Sequence, residues 1–383
     1  MAGQMLGNVS DARARIVGAG GVGFRSVGAM REAAAAQRAR SREVDAAGRG
    51  VFFAVTGEGE GARLSLDLGG SSADGFSPWA LRQVGTIAGV PAGVVDRLSP
   101  ATAARVLNET WPRDGEEGGP RRFLVEDGEG GSTLRAVTST GYRRVWDADL
   151  LGDVDRWLVG AGWQAAFPTI NHGGTPEADR ERALWRSDRD SFAFFMGPRN
   201  GAGSDDGLGG MRRGLFIGNS ETGGRSLSWG NFWFRDVCSN FLVWDAREVS
   251  IRRRRHTAGI VGEVTDLRRW IREAVPATAA PDLAPFEVLN RTAFDVSGAK
   301  DGARSWEERF AEVVADRFDL TRALARKAAD LAGRNESGAR AGSWWAAVNG
   351  VTAAARDLVP GDRFDVSVAA GRMVSAGLAA AGR

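Results

Sequence analysis

The periodicity of the apolar residues changes once along this chain of 383 residues, and that change limits the folds open to it. Before residue 256 short apolar segments that alternate with a period of two, the spacing of half-buried strands, are mixed with segments of helical spacing. From Glu263 onward the apolar residues recur at helical spacing, over residues 265–275, 306–318, 321–332, 343–356 and 366–381. The pattern reads as α+β: a central, mostly antiparallel sheet of hairpins with packed helices, then a helical C-terminal third. Three stretches follow from it: a polar, Ala/Arg-rich and mobile N-terminal segment at 1–50 with one helix near 27–42, an α+β core domain at 51–262, and a helical C-terminal region at 263–383.

Local signals fill in the core domain. Residues 51–56 and 63–68 pair as a hairpin around the Gly57–Gly61 loop, and 123–126 pairs with 133–139 around Gly128–Gly131. Ser77-Pro78 starts a helix through residue 88, because proline fits the first helical turn; Pro100 starts another. Asp147 caps a helix reaching 159. Strands are expected at 163–167, 191–196 and 213–219. A longer one at 226–235 puts Leu227, Trp229, Asn231, Trp233 and Arg235 on one face. Residues 115–119 and 198–210 are glycine-rich breaks, the second a disordered loop. No repeat of 20–50 residues appears.

Composition excludes several classes. Apolar residues make up 43%, enough for a sizeable core. No run of eighteen apolar residues exists to span a membrane, and the first thirty residues lack the pattern of a signal peptide. The single cysteine, Cys238, rules out an intrachain disulfide and fits a reducing, cytoplasmic compartment. Lys300 and Lys327 are the only lysines among 50 basic residues, as a high-GC genome would produce. Arginine forks bind phosphate and carboxylate at two points, whatever their origin. A net charge of +2 does not by itself argue for nucleic acid.

Catalytic sets are missing. Gly18, Gly20 and Gly23 spell G-x-G-x-x-G, but only Ile16-Val17 precede them, and Gly28 interrupts the helix a dinucleotide site requires. Cys238, His172 and His256 have no zinc spacing. Cys238 and His256 lack the surroundings of a nucleophile pair, and a small buried cysteine is the better reading. Neither lysine follows a Glu-x, so the common Asp…Glu-x-Lys nuclease core is absent. No cofactor and no metal is expected. An alternative remains in Glu221, Asp236 and Asp245, which sit near the central strands as carboxylates for a metal-dependent hydrolase or nuclease.

The most distinctive stretch runs from Gly214 to His256. Asn219, Ser220 and Glu221 end a strand and, with Asn240, form either a polar site or a turn bonding its own backbone. Arg252, Arg253, Arg254 and Arg255 are consecutive and precede His256. They form either a solvated charged face or a phosphate track joined by Arg225 and Arg235. Trp229, Trp233 and Trp244 stack on unpaired bases or fill the core.

Three ordered motifs, Arg135-Ala136-Val137-Thr138-Ser139-Thr140-Gly141-Tyr142-Arg143, Asn219-Ser220-Glu221-Thr222-Gly223 and Arg235-Asp236-Val237-Cys238-Ser239-Asn240, are followed by Arg253-x-x-His256 and by the helix Trp345-Ala346-Ala347-Val348-Asn349-Gly350-Val351-Thr352. Over residues 50–375 this series resembles a family of phage- and plasmid-borne proteins of unknown function, with insertions at 113–119 and 198–210. The family's strand–hairpin–helix pattern is similar to that of ring-forming single-strand annealing proteins. The resemblance implies a non-enzymatic DNA-binding protein of phage or plasmid recombination. It would be independent of ATP, assembled as a homo-oligomeric ring or filament, and would work with phage or host recombination proteins. Its expected contacts to single-stranded DNA are Tyr142, Arg143, Arg144, Arg225, Arg235, Arg252, Arg253, Arg254, Arg255 and His256.

Overall fold

The computed structural model describes residues 21–113, 119–165, 183–197, 211–235, 251–274, 284–299, 305–333, 339–355, 358 and 360–382. In chain order its elements are β1 (Val22–Gly23), α1 (Val27–Ala39), β2 (Ser41–Ala46), β3 (Phe52–Thr56), β4 (Arg63–Asp67), β5 (Ser72–Ala73) and β6 (Gly75–Phe76). Next come α2 (Pro78–Ile87), α3 (Ala92–Val95), α4 (Pro100–Thr110), β7 (Arg121–Gly128), β8 (Gly131–Ser139) and α5 (Asp147–Trp157). Then follow β9 (Gln164–Ala165), β10 (Leu184–Arg186), β11 (Ser191–Met196), β12 (Met211–Asn219), β13 (Leu227–Arg235), β14 (Ile251–Arg254) and α6 (Ile260–Ala274). Helices α7 (Ala284–Arg291), α8 (Trp306–Phe318), α9 (Arg322–Gly333), α10 (Trp344–Ala354) and α11 (Pro360–Ala381) complete the chain. The architecture is α+β.

The largest sheet runs β1-β10-β11-β12-β13-β14, with β9 also paired to β11, and every pair is antiparallel. Alternation decides its faces. Ala193, Phe195, Leu215, Ile217, Leu227 and Trp229 point into one core, against Met30 and Ala34 of α1, Leu150 and Val154 of α5, and Leu267 and Ile271 of α6. Trp229 is wholly buried, so of its two readings the core one holds. Fully burying a side chain of this kind contributes roughly 1.5–3 kcal/mol.

Two smaller sheets, β2-β7-β8-β6 and β3-β4-β5, share a second core with α2 and α4. Phe53 meets Trp111 edge-on at 5.3 Å within it. The Ser-Pro starts behave as local chemistry dictates: Ser77 Oγ accepts from Ala80 N, and Ser99 Oγ from Thr102 N, each with proline inside the first turn. The side-chain amide of Asn108 bonds both the N–H and the C=O of Phe53, which closes that edge of β3. A third core lies within α7–α11, around Phe286, Phe310, Trp344 and Trp345. No described helix is long and apolar enough to cross a membrane.

Several expectations need correction. Residues 21–50 do not stand apart: α1 packs on α5, and β2 pairs with β7 from Ser41↔Glu126 to Ala46↔Arg121. The helix expected through residue 42 ends at Ala39 because the chain turns into that strand. The last boundary also moves. Ile260, Leu267 and Ile271 bury α6 in the first core, so the separate helical bundle starts at α7. Asp147 is not the cap of α5. Trp146 holds that position, and the Asp147 carboxylate is engaged elsewhere. Residues 198–210 and 115–118 lie outside the described residues.

Candidate nucleic-acid interface

The motif residues divide between a buried junction and an exposed edge. The junction lies where β8, the start of α5, β10, β11 and the turn after β12 meet. Arg135 from β8 donates through Nη2 to Glu221 Oε2 at 3.0 Å, and Arg186 Nη2 lies 3.5 Å from the same oxygen. Arg186 Nε donates to Asp147 Oδ2 at 3.0 Å. Asp147 Oδ1 accepts from Ser191 Oγ and Asn219 Nδ2, both at 2.8 Å, while the Asp147 N–H donates to Glu221 Oε1 at 2.9 Å. The side chains of Arg135, Arg186, Asp147 and Glu221 are 10% exposed or less, so this network is out of water. Burial beside Asp147 pushes the Glu221 carboxyl upward, and Arg186 and Arg135 pull against it.

The turn Asn219–Gly224 is held from several sides. Ser220 Oγ accepts from the N–H groups of Thr222 and Gly224 and donates to the Arg189 carbonyl. The Thr222 carbonyl accepts from Trp79 Nε1 and Gln83 Nε2, and the Ser220 carbonyl from Tyr142 Oη at 2.6 Å. The backbone-bonding reading of Asn219 and Ser220 therefore describes this turn, not a polar site open to a ligand. Glu221, enclosed by two guanidinium groups, is likewise not presented to a metal. Asn240, Asp236 and Asp245 lie outside the described residues. Among those described, no three His, Cys, Asp or Glu side chains converge as a cation cage.

Tyr142, Arg144, Arg225 and His256 were expected at a DNA surface, and the structure gives each an intramolecular partner. The Tyr142 ring stacks on His256 with centroids 4.8 Å apart. Arg144 lies over Tyr142 at 5.5 Å and over Trp146 at 5.6 Å, and its Nε donates to Glu43 Oε1 at 2.7 Å. Its side chain is only 3% exposed. Arg225 joins Asp190 to Asp365 of α11 and covers the Phe192 ring. His256 is 5% exposed, and its Nδ1 lies 3.2 Å from the Arg143 carbonyl. Burial, with the nearby Arg144 charge, lowers its pKa to about 4. These four cannot form a track without breaking the contacts that place them. The side chain of Arg235, at the end of β13, lies outside the described residues.

What remains exposed lies along β14 and directly after it. β14 ends the path of the large sheet, in register Leu227↔Arg254, Ser228↔Arg253 and Trp229↔Arg252. Arg252 and Arg254 thus share the face of Trp229 and Leu227, Arg253 takes the other, and next-but-one side chains on a strand stand about 6.8 Å apart. Arg252, Arg253, Arg254 and Arg255 are all exposed. Arg254 meets Glu263 of α6, and the other three have no carboxylate partner among the described residues. A fifth arginine joins them through the fold: the Arg143 N–H donates to the His256 carbonyl at 2.9 Å, which brings the backbone of exposed Arg143 to the residue after Arg255. The sequence named Arg143 without showing this neighbour, because the two positions are far apart in the chain. No family model, no curated protein and no solved structure matches this chain.

Proposed function

We propose that the protein binds single-stranded DNA along the β14 edge, as an ATP-independent annealing protein of phage or plasmid recombination that works as a homo-oligomer. The observation that supports this reading is the cluster of Arg252, Arg253, Arg255 and Arg143. Several arginines elsewhere in the α+β part lie against carboxylates: Arg31 on Asp155, Arg38 on Asp149, Arg122 on Asp45, Arg268 on Asp153. Arg252, Arg253 and Arg255 meet no carboxylate among the described residues. Planar guanidinium forks spaced along an extended strand suit a phosphodiester backbone. Backbone contacts carry no base preference, and annealing leaves the bases free to pair.

Fluorescence anisotropy of a labelled single-stranded oligonucleotide across a salt series tests the binding. Four or five phosphate contacts predict a log–log slope of about −3. The triple variant R252E/R253E/R255E is expected to lose binding at least about tenfold while keeping the wild-type melting midpoint. Unchanged affinity in that folded variant would overturn the reading. Mixing two complementary strands without ATP then tests annealing, and sedimentation tests the oligomer.

A further inference from the structure

A second arginine-bearing feature lies away from β14. A cleft of about 830 Å³ opens between α2, the chain around Gly89–Gly93, β8 and the turn at Gly223. That volume is in the range of small-ligand sites. Its wall is built by two close approaches. A Cβ at Gly85 would sit 2.4 Å from the Val90 carbonyl, so only glycine lets α2 meet the following turn. Gly223 has φ +81°, and a Cβ there would sit 3.1 Å from Thr138 Cγ2. Gln83 pins the floor: its Oε1 accepts from the Val137 N–H, and its Nε2 donates to the Thr222 carbonyl.

The lining has a consistent chemistry. Arg82 and Arg121 face the cleft, no acidic residue lines it, and neither arginine has a carboxylate partner among the described residues. Arg121 Nε is buried with no hydrogen-bond partner there. Ile87, Val90 and Val137 give the same cleft an apolar wall, and the Thr138 and Ser139 side chains add polar groups.

We propose that this cleft binds a phosphomonoester attached to a flat ring, the chemistry of a nucleoside monophosphate. Arg82 and Arg121 take the phosphate, and the Ile87–Val90–Val137 wall takes the ring. Two sources share that chemistry, a free mononucleotide and the phosphorylated 5′ end of a strand. The second is within geometric reach, because a Cβ on Gly223 would lie 3.9 Å from Tyr142 Cε2, and Tyr142 carries the His256 clasp beside Arg143. The site does not depend on the β14 reading.

Isothermal titration of the full chain with deoxyadenosine monophosphate, adenosine and inorganic phosphate tests it. The monophosphate is expected to bind below about 1 mM and at least about tenfold more tightly than adenosine. R82Q and R121Q should each weaken it about tenfold without moving the melting midpoint. The same titration in R252E/R253E/R255E separates this site from β14, and the affinity for the mononucleotide should not change. If the mononucleotide fails, a 5′-phosphorylated oligonucleotide that binds this triple variant at least about tenfold better than its unphosphorylated twin assigns the site to strand ends. Equal binding of monophosphate and adenosine, or no phosphate-dependent binding in either arm, would overturn the proposal.

Discussion

Arg135 and Arg252 are the same kind of side chain in two opposite settings. Arg135 is enclosed between Ser41, Glu126 and Glu221, with 5% of its side chain exposed. Arg252 stands in water on an edge strand. Taking an ion out of water costs several kcal/mol, so the first arginine is tolerable only with its acceptors in place. The second pays no such penalty and keeps its charge available. Burial and partner, not residue type, separate an arginine that holds two sheets together from one that can meet a ligand.

The sharpest way to break the comparison is to remove one junction partner. Arg135→Met or Glu221→Gln should lower stability by up to about 3–5 kcal/mol, because each takes one partner away from a buried charge. Denaturant melts read by tryptophan fluorescence would show it. A shift below about 1 kcal/mol would place the junction with surface ion pairs instead.

The clasp between the regions gives a smaller, pH-dependent effect. His256 is held below its unfolded value near 6.5, at about 4. The unfolded chain therefore binds the proton more readily. The stability His256 contributes is fully present above pH 6.5 and is lost as pH falls from there to about 4. The linkage amounts to ~3 kcal/mol over that window. His256→Phe, which keeps a ring on Tyr142, should flatten the fall. An unchanged pH profile in that variant would assign the effect to other groups.

The mildest prediction concerns the edge. Arg252→Gln with Arg253→Gln should move the melting midpoint by less than about 0.5 kcal/mol equivalent. The same change should make the salt slope of DNA binding shallower by about 1.4, two phosphate contacts' worth. A charged edge also discourages strand-to-strand pairing, so light scattering of this variant should be compared with the wild type. A marked loss of stability would show that the edge is structural and would collapse the distinction from Arg135.

Much of the local structure was legible. The hairpins around 57–61 and 128–131, the Ser77-Pro78 start, the segment Trp306–Phe318 and the strand β13 all appear at or within a residue or two of where composition and period place them. Their signals lie within a few neighbours: a capping hydroxyl, a glycine turn, a repeat of two or 3.6. Asp147 shows how such a signal misleads. It has the chemistry of a cap and sits at a helix start, yet Arg186, Ser191 and Asn219 claim its carboxylate. The candidate site was legible as a set of motifs but not as a place.

The sequence by itself determined the α+β class, the positions of most strands and helices, and which stretches carry unusual arginines, because these follow from period and local hydrogen bonding. Only the tertiary structure decided that Arg135 and Glu221, 86 positions apart, share a salt bridge. It also decided that α6 serves the sheet and not the bundle, and that the Arg143 backbone bonds His256. Desolvation is the physical reason. A charge or an apolar face takes its role from what excludes water around it, and that neighbour is chosen by the packing of distant segments.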